Sequence, residues 1–593
     1  MSPSPNADDP AARLASLRRV LGEAGLDGFI LPRGDEHLGE YVAPHAERLA
    51  WLTGFTGSAG LAIVLAGEAA IFSDGRYTLQ LAQQTDPASW TRLHLVEDPP
   101  EAWLAERGGR IGYDPWLMSQ DQLDRYARPG VELVPLAANP VDGIWHDQPA
   151  PPLEPAVPQK LEHAGRASEE KRASIAALLR AAGEDAAILT DPASIAWLLN
   201  IRGHDVPFTP LPLGFAILRA DASLTLFMDG RKLPPETRQW LGNDVATEDP
   251  TQLPAAIARL AGQHVRLDTG GSAVWFAQRL EEAGARLHPG ADPCLLPKAR
   301  KNPVEQQGAR DAHRRDGLAL CRFLHWLSLH GETSSELRAA GQLDGFRARS
   351  DSYRGESFPA ISASGPNGAI VHYRVSPDTD RPLRAGDSYL IDSGGQYPDG
   401  TTDVTRTVWI GDGSPPELLR DRVTRVLRGH IALATACFPA GITGTRLDSL
   451  ARAPLWQAGL DYDHGTGHGI GSFLAVHEGP CGIHARPQKV SIEAGMILSD
   501  EPGYYAAGQY GIRLENLLLV CHAHLPATDR PFLCFETLTL VPFDRRLIQP
   551  AQLSRAEREW VDLYHARVEA ELSPALEPPV RAWLAQACAP LAG

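Results

Sequence analysis

A faint repeat in the first half of the chain constrains its fold more than any other feature. "DGFIL" (27–31), "AWLTGFTG" (50–57) and "IFSDGRY" (71–77) return in the same order as "DAAIL" (185–189), "AWLLNIRG" (196–203) and "LFMDGRK" (226–232). An amphipathic stretch precedes each copy, "AARLASLRRVLGEAG" and then "SEEKRASIAALLRAAG". Short apolar runs of strand length follow in both. The pattern predicts two α/β domains of one design. The proline-rich "DQPAPPLEPAVPQK" (147–160) reads as an extended linker between them. A second boundary falls near "GADPCLLPKARKNPVEQQ" (290–307), and a long helical pattern begins there. The expected organisation is a first α/β domain over 1–150, a second over 160–298, and a third domain over 302–593. From about 546 the third domain should carry a helical extension of two amphipathic helices that pack into its core.

The third domain holds charges where apolar strands are expected. In "SYLIDSGGQYPDGTTDVTRTVWIG" (388–411), Asp392 ends an apolar run, and Asp403, eleven residues on, opens an alternating one. Two strands joined by a short glycine-containing loop form a hairpin, which can bring both carboxylates to one end. Asp399 lies between them in "YPDG", where a turn accounts for it. Glu501 closes the apolar run of "EAGMILSDEPGYY", and Glu515 lies in the strand-like "YGIRLENLLLV", on one face with Arg513 at i, i+2. Charges in such runs are costly to bury unless paired or metal-bound.

"DYDHGTGHGIGSFLAVHEGP" (461–480) adds His464, His468 and His477. The first two have helical spacing, but four intervening or following glycines argue against a helix, each costing about 1 kcal/mol there. Glycine suits a strand or loop close to a substrate. Four carboxylates converging with one or more of these histidines would repel one another without cations. Two divalent ions remove that repulsion and suit hydrolysis, and a ligand set rich in oxygen with one imidazole suits Mn²⁺, Co²⁺ or Zn²⁺.

The formal net charge of −17 argues against nucleic acid or an anionic membrane as a general partner. Seven scattered cysteines without a CxxC fit neither a disulfide framework nor a thiolate zinc site. The polar N-terminus lacks the marks of a signal peptide, and no apolar run is long enough to span a membrane, so a cytoplasmic location is expected.

At these residues the chain resembles the M24 pita-bread metallopeptidases, and among them the three-domain aminopeptidase P group. "WLTGFTGSAG", "IAWLLNIRG", "SGPNGAIVHY", "IDSGGQYPDGTTDVTRT", "HGTGHGIGSFLAVHEGPCGI", "EAGMILSDEPGYY" and "GIRLEN" carry the likeness over nearly the whole chain. It implies two creatinase-type N-terminal α/β domains followed by a pita-bread catalytic domain, α/β (α+β) overall. It also implies five metal ligands, Asp392, Asp403, His468, Glu501 and Glu515, holding two divalent ions, Mn²⁺ by family expectation. Asp403 and Glu515 would bridge, Asp392 would serve one ion, and His468 and Glu501 the other. His372, His464 and His477 match the family's non-ligand histidines. A homodimer is usual in the group.

The implied activity is removal of an N-terminal residue when proline is second, by a water or hydroxide bridging the metals. In that reading Glu501 handles the water's proton, His372 and His477 hold the substrate backbone, and His464 shuttles a proton. Phe358 and His477 wall the proline slot, and Arg513 supports the substrate end while steadying Glu515. The alternatives are a prolidase cleaving Xaa-Pro dipeptides, a methionine aminopeptidase, which is much shorter, and a pita-bread binding module without catalysis. Binding modules of this fold usually lose ligands, whereas all five positions are filled here.

Overall fold

The computed structural model describes residues 9–591. Most of the polar N-terminal segment, residues 1–8, lies outside the described residues. The described chain divides into two compact units, residues 1–159 with 166–295, and residues 160–165 with 296–593.

The first unit contains two six-stranded sheets of identical topology. One runs Thr91–His94, Ala69–Ser73, Leu61–Leu65, Gly28–Pro32, Gly109–Tyr113, Val131–Pro135. The other runs Val245–Glu248, Leu224–Phe227, Phe215–Arg219, Ala186–Leu189, His264–Leu267, Arg286–Pro289. Both mix parallel and antiparallel neighbours in the same places.

The repeated letters do repeated jobs. Asp27 and Asp185 each accept from a main-chain N–H on the neighbouring parallel strand, Arg110 and His264, both at 2.8 Å. Asp74 and Asp229 each cap a turn and pair with the arginine two residues on. Gly54 and Asn200 each end a helix in the left-handed conformation, at φ 80° and 51°, the cap that glycine and asparagine tolerate best. In the first sheet Phe29 and Leu31 face one apolar cluster while Ile30 faces another, as a strand covered on both faces requires.

The stretch expected as an extended linker is partly anchored. Val157–Pro158 pairs with Ile201–Arg202, and the Ala156 carbonyl accepts from the Thr237 hydroxyl at 2.6 Å. Its alternating prolines keep it extended, but the extended backbone has found a partner.

The second unit is built twice from two helices followed by an antiparallel sheet. Helices Pro303–His330 and Glu336–Arg347 pack on Ile361–Ser364, Ser388–Ser393 and Val404–Trp409. Helices Glu417–Ala434 and Thr445–Trp456 pack on Ile497–Asp500, Asn516–His522 and Phe532–Thr537. The single strand expected over 510–520 is broken instead. Tyr510–Arg513 pairs backwards with Gly503–Ala506, and Asn516–His522 starts anew after Leu514 and Glu515.

The tail forms helices Arg555–Leu572 and Pro578–Ala587, whose apolar stripes join the core with Val426, Leu427 and Ile512. Among the described residues no helix is long and apolar enough to cross a membrane.

His565 on the tail is buried, and its Nε2 accepts from the Phe543 main chain at 3.0 Å. Burial, with Arg406 and Arg545 nearby, pushes its pKa from 6.5 down to about 3. The unfolded chain therefore binds this proton first, and stability is lost as pH falls below about 6.5. Urea titrations between pH 6.5 and 5 should show a shallower pH slope for His565→Gln than for the parent; equal slopes would remove His565 as the source.

Candidate metal centre

Two hairpins, one from each half of the second unit, end side by side. In the first, Asp392 stands opposite Thr405, and Asp403 lies one step beyond the last paired residue, Val404. In the second, Asp500 stands opposite Asn516, so Glu501 and Glu515 lie one step past that ladder. Each half thus delivers two carboxylates. The halves are joined at this point. The Glu515 N–H donates to the Thr405 carbonyl at 3.1 Å, and the Thr405 hydroxyl donates to Glu515 Oε2 at 2.7 Å.

His468 enters from the short strand Gly467–His468, paired with Gly482–Ile483. Its N–H donates to Ser499 Oγ at 2.9 Å, and its Nε2 lies 3.5 Å from both Asp403 Oδ2 and Glu501 Oε1. Asp403, His468 and Glu515 each present a ligand atom within 4.8 Å of the others.

The glycines around His468 answer to the protein itself. A Cβ at Gly467 would overlap the Ser499 carbonyl, and one at Gly469 the Glu478 carbonyl. Room for a substrate was the expected reason; backbone packed on backbone is the observed one.

Charge is concentrated and dry here. Asp392, Asp403 and Glu515 are 7%, 4% and 1% exposed. Burial, then Asp392 and Glu501, push Asp403 well above the usual carboxylate range. Burial, then Asp403, Glu501 and Asp392, do the same to Glu515, and burial foremost brings Glu501 up to about 7. Asp392 Oδ1, Asp403 Oδ1 and Glu515 Oε1 are buried without a hydrogen-bond partner among the described residues. Buried polar atoms are normally satisfied. Three orphaned carboxylate oxygens beside an imidazole fit divalent cations of the oxygen- and nitrogen-preferring kind.

Arg513 is 2% exposed and its Nη2 donates to Asp392 Oδ2 at 2.6 Å. Its Nε donates to Thr405 Oγ1 at 3.2 Å, and that hydroxyl in turn donates to Glu515 Oε2. Its position is that of a support for Asp392, reaching Glu515 only through Thr405, rather than of a group facing a peptide. Its Nη1 donates to the Tyr505 hydroxyl at 2.6 Å, which lies 2.8 Å from His464 Nε2. His464 Nδ1 lies 2.7 Å from the Gly465 carbonyl. His464 thus stands behind Tyr505 with both ring nitrogens engaged.

The His477 ring is exposed and sits edge-on to His468, centroids 4.3 Å apart. His372 follows Val371, whose carbonyl accepts from Arg513 Nη1 at 3.4 Å. Phe358 is 9% exposed and follows Ser357, which donates to the Thr402 carbonyl next to Asp403 at 2.8 Å. Asp399 occupies a two-residue turn between Tyr397 and Gly400 and pairs with Arg315, in keeping with its reading as a turn residue.

Sequence reasoning passed over Thr405 and Ser499, and gave Tyr505 no part in holding Arg513 or His464. The first two lie two residues from Asp403 and Glu501, hence on the same strand faces, and the period of two could have found them. Ser499 Oγ lies 3.2 Å from Glu501 Oε1. Tyr505 comes close only because the chain folds back after Glu501.

Residues 307–522 match metallopeptidase family M24, and 531–591 match the C-terminal region of peptidase M24. Residues 13–142 and 147–305 each match a creatinase/prolidase N-terminal domain. Aminopeptidase P1 of Arabidopsis thaliana is 36% identical over 98% of this chain and 99% of its own. A probable Xaa-Pro aminopeptidase P of Talaromyces stipitatus is 38% identical over 94% of this chain and 88% of its own. An X-prolyl aminopeptidase from Caenorhabditis elegans, described as a cytosolic enzyme with a di-nuclear active site, superposes with a TM-score of 0.93 at 34% identity, covering 98% of this chain and 100% of that one. This chain belongs to metallopeptidase family M24, in its aminopeptidase P group.

Proposed function

We propose that the protein is a metallo-aminopeptidase that hydrolyses the peptide bond between an N-terminal residue and a following proline. The reading is carried by the set Asp392, Asp403, His468, Glu501 and Glu515, complete and convergent, with three of its carboxylate oxygens orphaned in the interior. The near full-length likeness to Xaa-Pro aminopeptidases supports the substrate class.

Those five residues, Asp403 and Glu515 among them, would hold two divalent ions. Bound there, the ions neutralise the carboxylates and lower the pKa of an attacking water toward about 7. Glu501 takes the proton of that water, helped by Ser499, and carries it toward the proline nitrogen as the C–N bond breaks. The acyl carbon gains the hydroxyl and the nitrogen gains the proton. That nitrogen belongs to a tertiary amide without an N–H, so recognition must come from ring shape and flanking carbonyls. His372 and His477 supply the polar contacts, and Phe358 with His477 the wall of the proline slot. Asp392 and Asp403 meet the free α-amine, which limits the enzyme to chain ends. His464 acts through Tyr505, which also holds Arg513 and through it Asp392.

Mn²⁺ as the ion, a homodimer as the assembly and the cytoplasm as the location belong to the same reading. The location is supported by the cytosolic C. elegans relative and by seven cysteines without disulfides.

Stripping metal with a chelator should abolish turnover, and adding Mn²⁺, Co²⁺ or Zn²⁺ singly should restore it. The restored enzyme should cleave a tripeptide such as Ala-Pro-Ala far faster than the dipeptide Ala-Pro or a Met-Ala peptide. A preference for the dipeptide would make it a prolidase, and failure to bind any of the ions would leave a binding module.

Glu501→Gln should cut kcat by ~10³-fold or more; near-normal rates in metal-replete buffer would take Glu501 out of the mechanism. His464→Ala should lower kcat with metal stoichiometry intact, read by elemental analysis. Loss of metal would instead make His464 a support of the metal site, acting through Tyr505, Arg513 and Asp392.

A further inference from the structure

His372 and His477 lie on segments that are themselves partly exposed, yet each is followed by a buried residue: Tyr373, bonded to the Glu336 carboxylate, and Glu478, itself a carboxylate paired with two lysines. His477 is exposed, while Glu478 is 4% exposed. Glu478 Oε1 accepts from Lys301 Nζ at 2.6 Å, and Oε2 lies 3.3 Å from Lys298 Nζ; both lysines are 4% exposed. The Glu478 N–H donates to the Gly469 carbonyl at 2.8 Å, the residue after His468. The loop between the two histidines is thus closed by its backbone and anchored by one side chain. A buried carboxylate with two ammonium partners has little freedom, because moving it strands charge in the interior.

The second anchor is Glu336, 0% exposed, at the start of helix Glu336–Arg347. Its carboxylate accepts from the Ser364 N–H at 2.6 Å and the Arg381 N–H at 3.2 Å, the two ends of the segment that carries His372. It also accepts from Asn367 Nδ2 at 3.0 Å and from the Tyr373 hydroxyl at 2.9 Å, one residue past His372. All these donors are uncharged groups. Only a carboxylate can accept at both oxygens; a glutamine would turn an NH₂ toward one set of donors.

We propose that Glu336 and Glu478 are positioning residues that hold His372 and His477 against the substrate, Glu336 by fixing Tyr373 and the ends of its segment, Glu478 by anchoring itself next to His477. The proposal rests on the substrate-contacting roles given to the two histidines above. Neither carboxylate touches substrate. A displacement of about 1 Å in a group that orients substrate can cost ~10²-fold in rate.

The test is a double-mutant cycle on the full-length Mn²⁺-loaded protein with Ala-Pro-Ala, reading kcat, KM, metal stoichiometry and melting temperature. The anchor variants are Glu336→Gln, Tyr373→Phe, Glu478→Gln and Glu478→Gln with Lys301→Met. Tyr373→Phe removes one hydroxyl, and the paired Glu478/Lys301 change avoids two unpaired buried lysines, so each arm keeps a folded variant. Each is made alone and with His372→Ala or His477→Ala. We expect a roughly 10-fold or larger loss of kcat/KM from each anchor variant, with two metals still bound. Added to the matching histidine variant, it should cost less than 2-fold more. Losses that multiply with the histidine change would overturn the proposal, as would unchanged kinetics in folded anchor variants whose histidine variants are impaired. Full activity of His372→Ala and His477→Ala would instead strike down the histidine roles, and the proposal with them.

Discussion

Everything in the second unit answers to one constraint: four carboxylates must be held together, largely out of water. A pair of such charges 4 Å apart repels by about 4 kcal/mol at an effective dielectric of 20. Cations relieve that only when the ligands are already in place, so the protein has to supply rigidity against repulsion. It does so by placing each carboxylate at or just past the end of a paired strand, where a ladder fixes the backbone but leaves the side chain free to point outward from it. Donors aimed at the carboxylates' second oxygens, from Arg513, Thr405 and Ser499, fix their rotation.

Arg406 extends this scaffold to the tail. Its guanidinium is buried and donates to the Thr405 and Glu515 carbonyls at 2.8 and 2.6 Å, and to Asn516 Oδ1 at 2.7 Å. The same group donates to the Val541 carbonyl at 2.7 Å and to the Tyr564 hydroxyl at 3.0 Å. The backbone that carries Glu515 is therefore clamped to the C-terminal helices, which bury their apolar stripes in the same core. The tail is an integral part of the catalytic unit's packing, which agrees with the expectation drawn from its amphipathic pattern.

Legibility followed the range of the interaction. The duplicated first unit was readable because Asp74 and Asp229 act within two residues and leave a local trace, and because the short apolar runs around Asp27 and Asp185 repeat in order. The hairpin bearing Asp392 and Asp403 was readable for the same reason. Arg513 was expected to steady Glu515, and it reaches that carboxylate only through the Thr405 hydroxyl. The chain breaks at Leu514 and Glu515 and sends the guanidinium to Asp392, 121 residues away. The bonds of Tyr505 were not legible because its partners, His464 and Arg513, are brought to it only by folding.

Residue type and period, by themselves, pointed to two like α/β domains and to four carboxylates and one or more histidines of ligand type in strand-end and glycine-rich settings. These are properties of short stretches, where side-chain alternation and the cost of a charge in an apolar run leave few choices. Tertiary structure alone decided that two hairpins from separate halves end at one point, and which oxygens are satisfied there. It also decided that the glycines near His468 make room for backbone, and that buried Glu336 and Glu478 stand beside the exposed histidine segments. The meeting of the two hairpins depends on contacts between residues more than a hundred positions apart, the other outcomes on contacts between separate elements, and no local pattern encodes which of the available partners a buried group will meet.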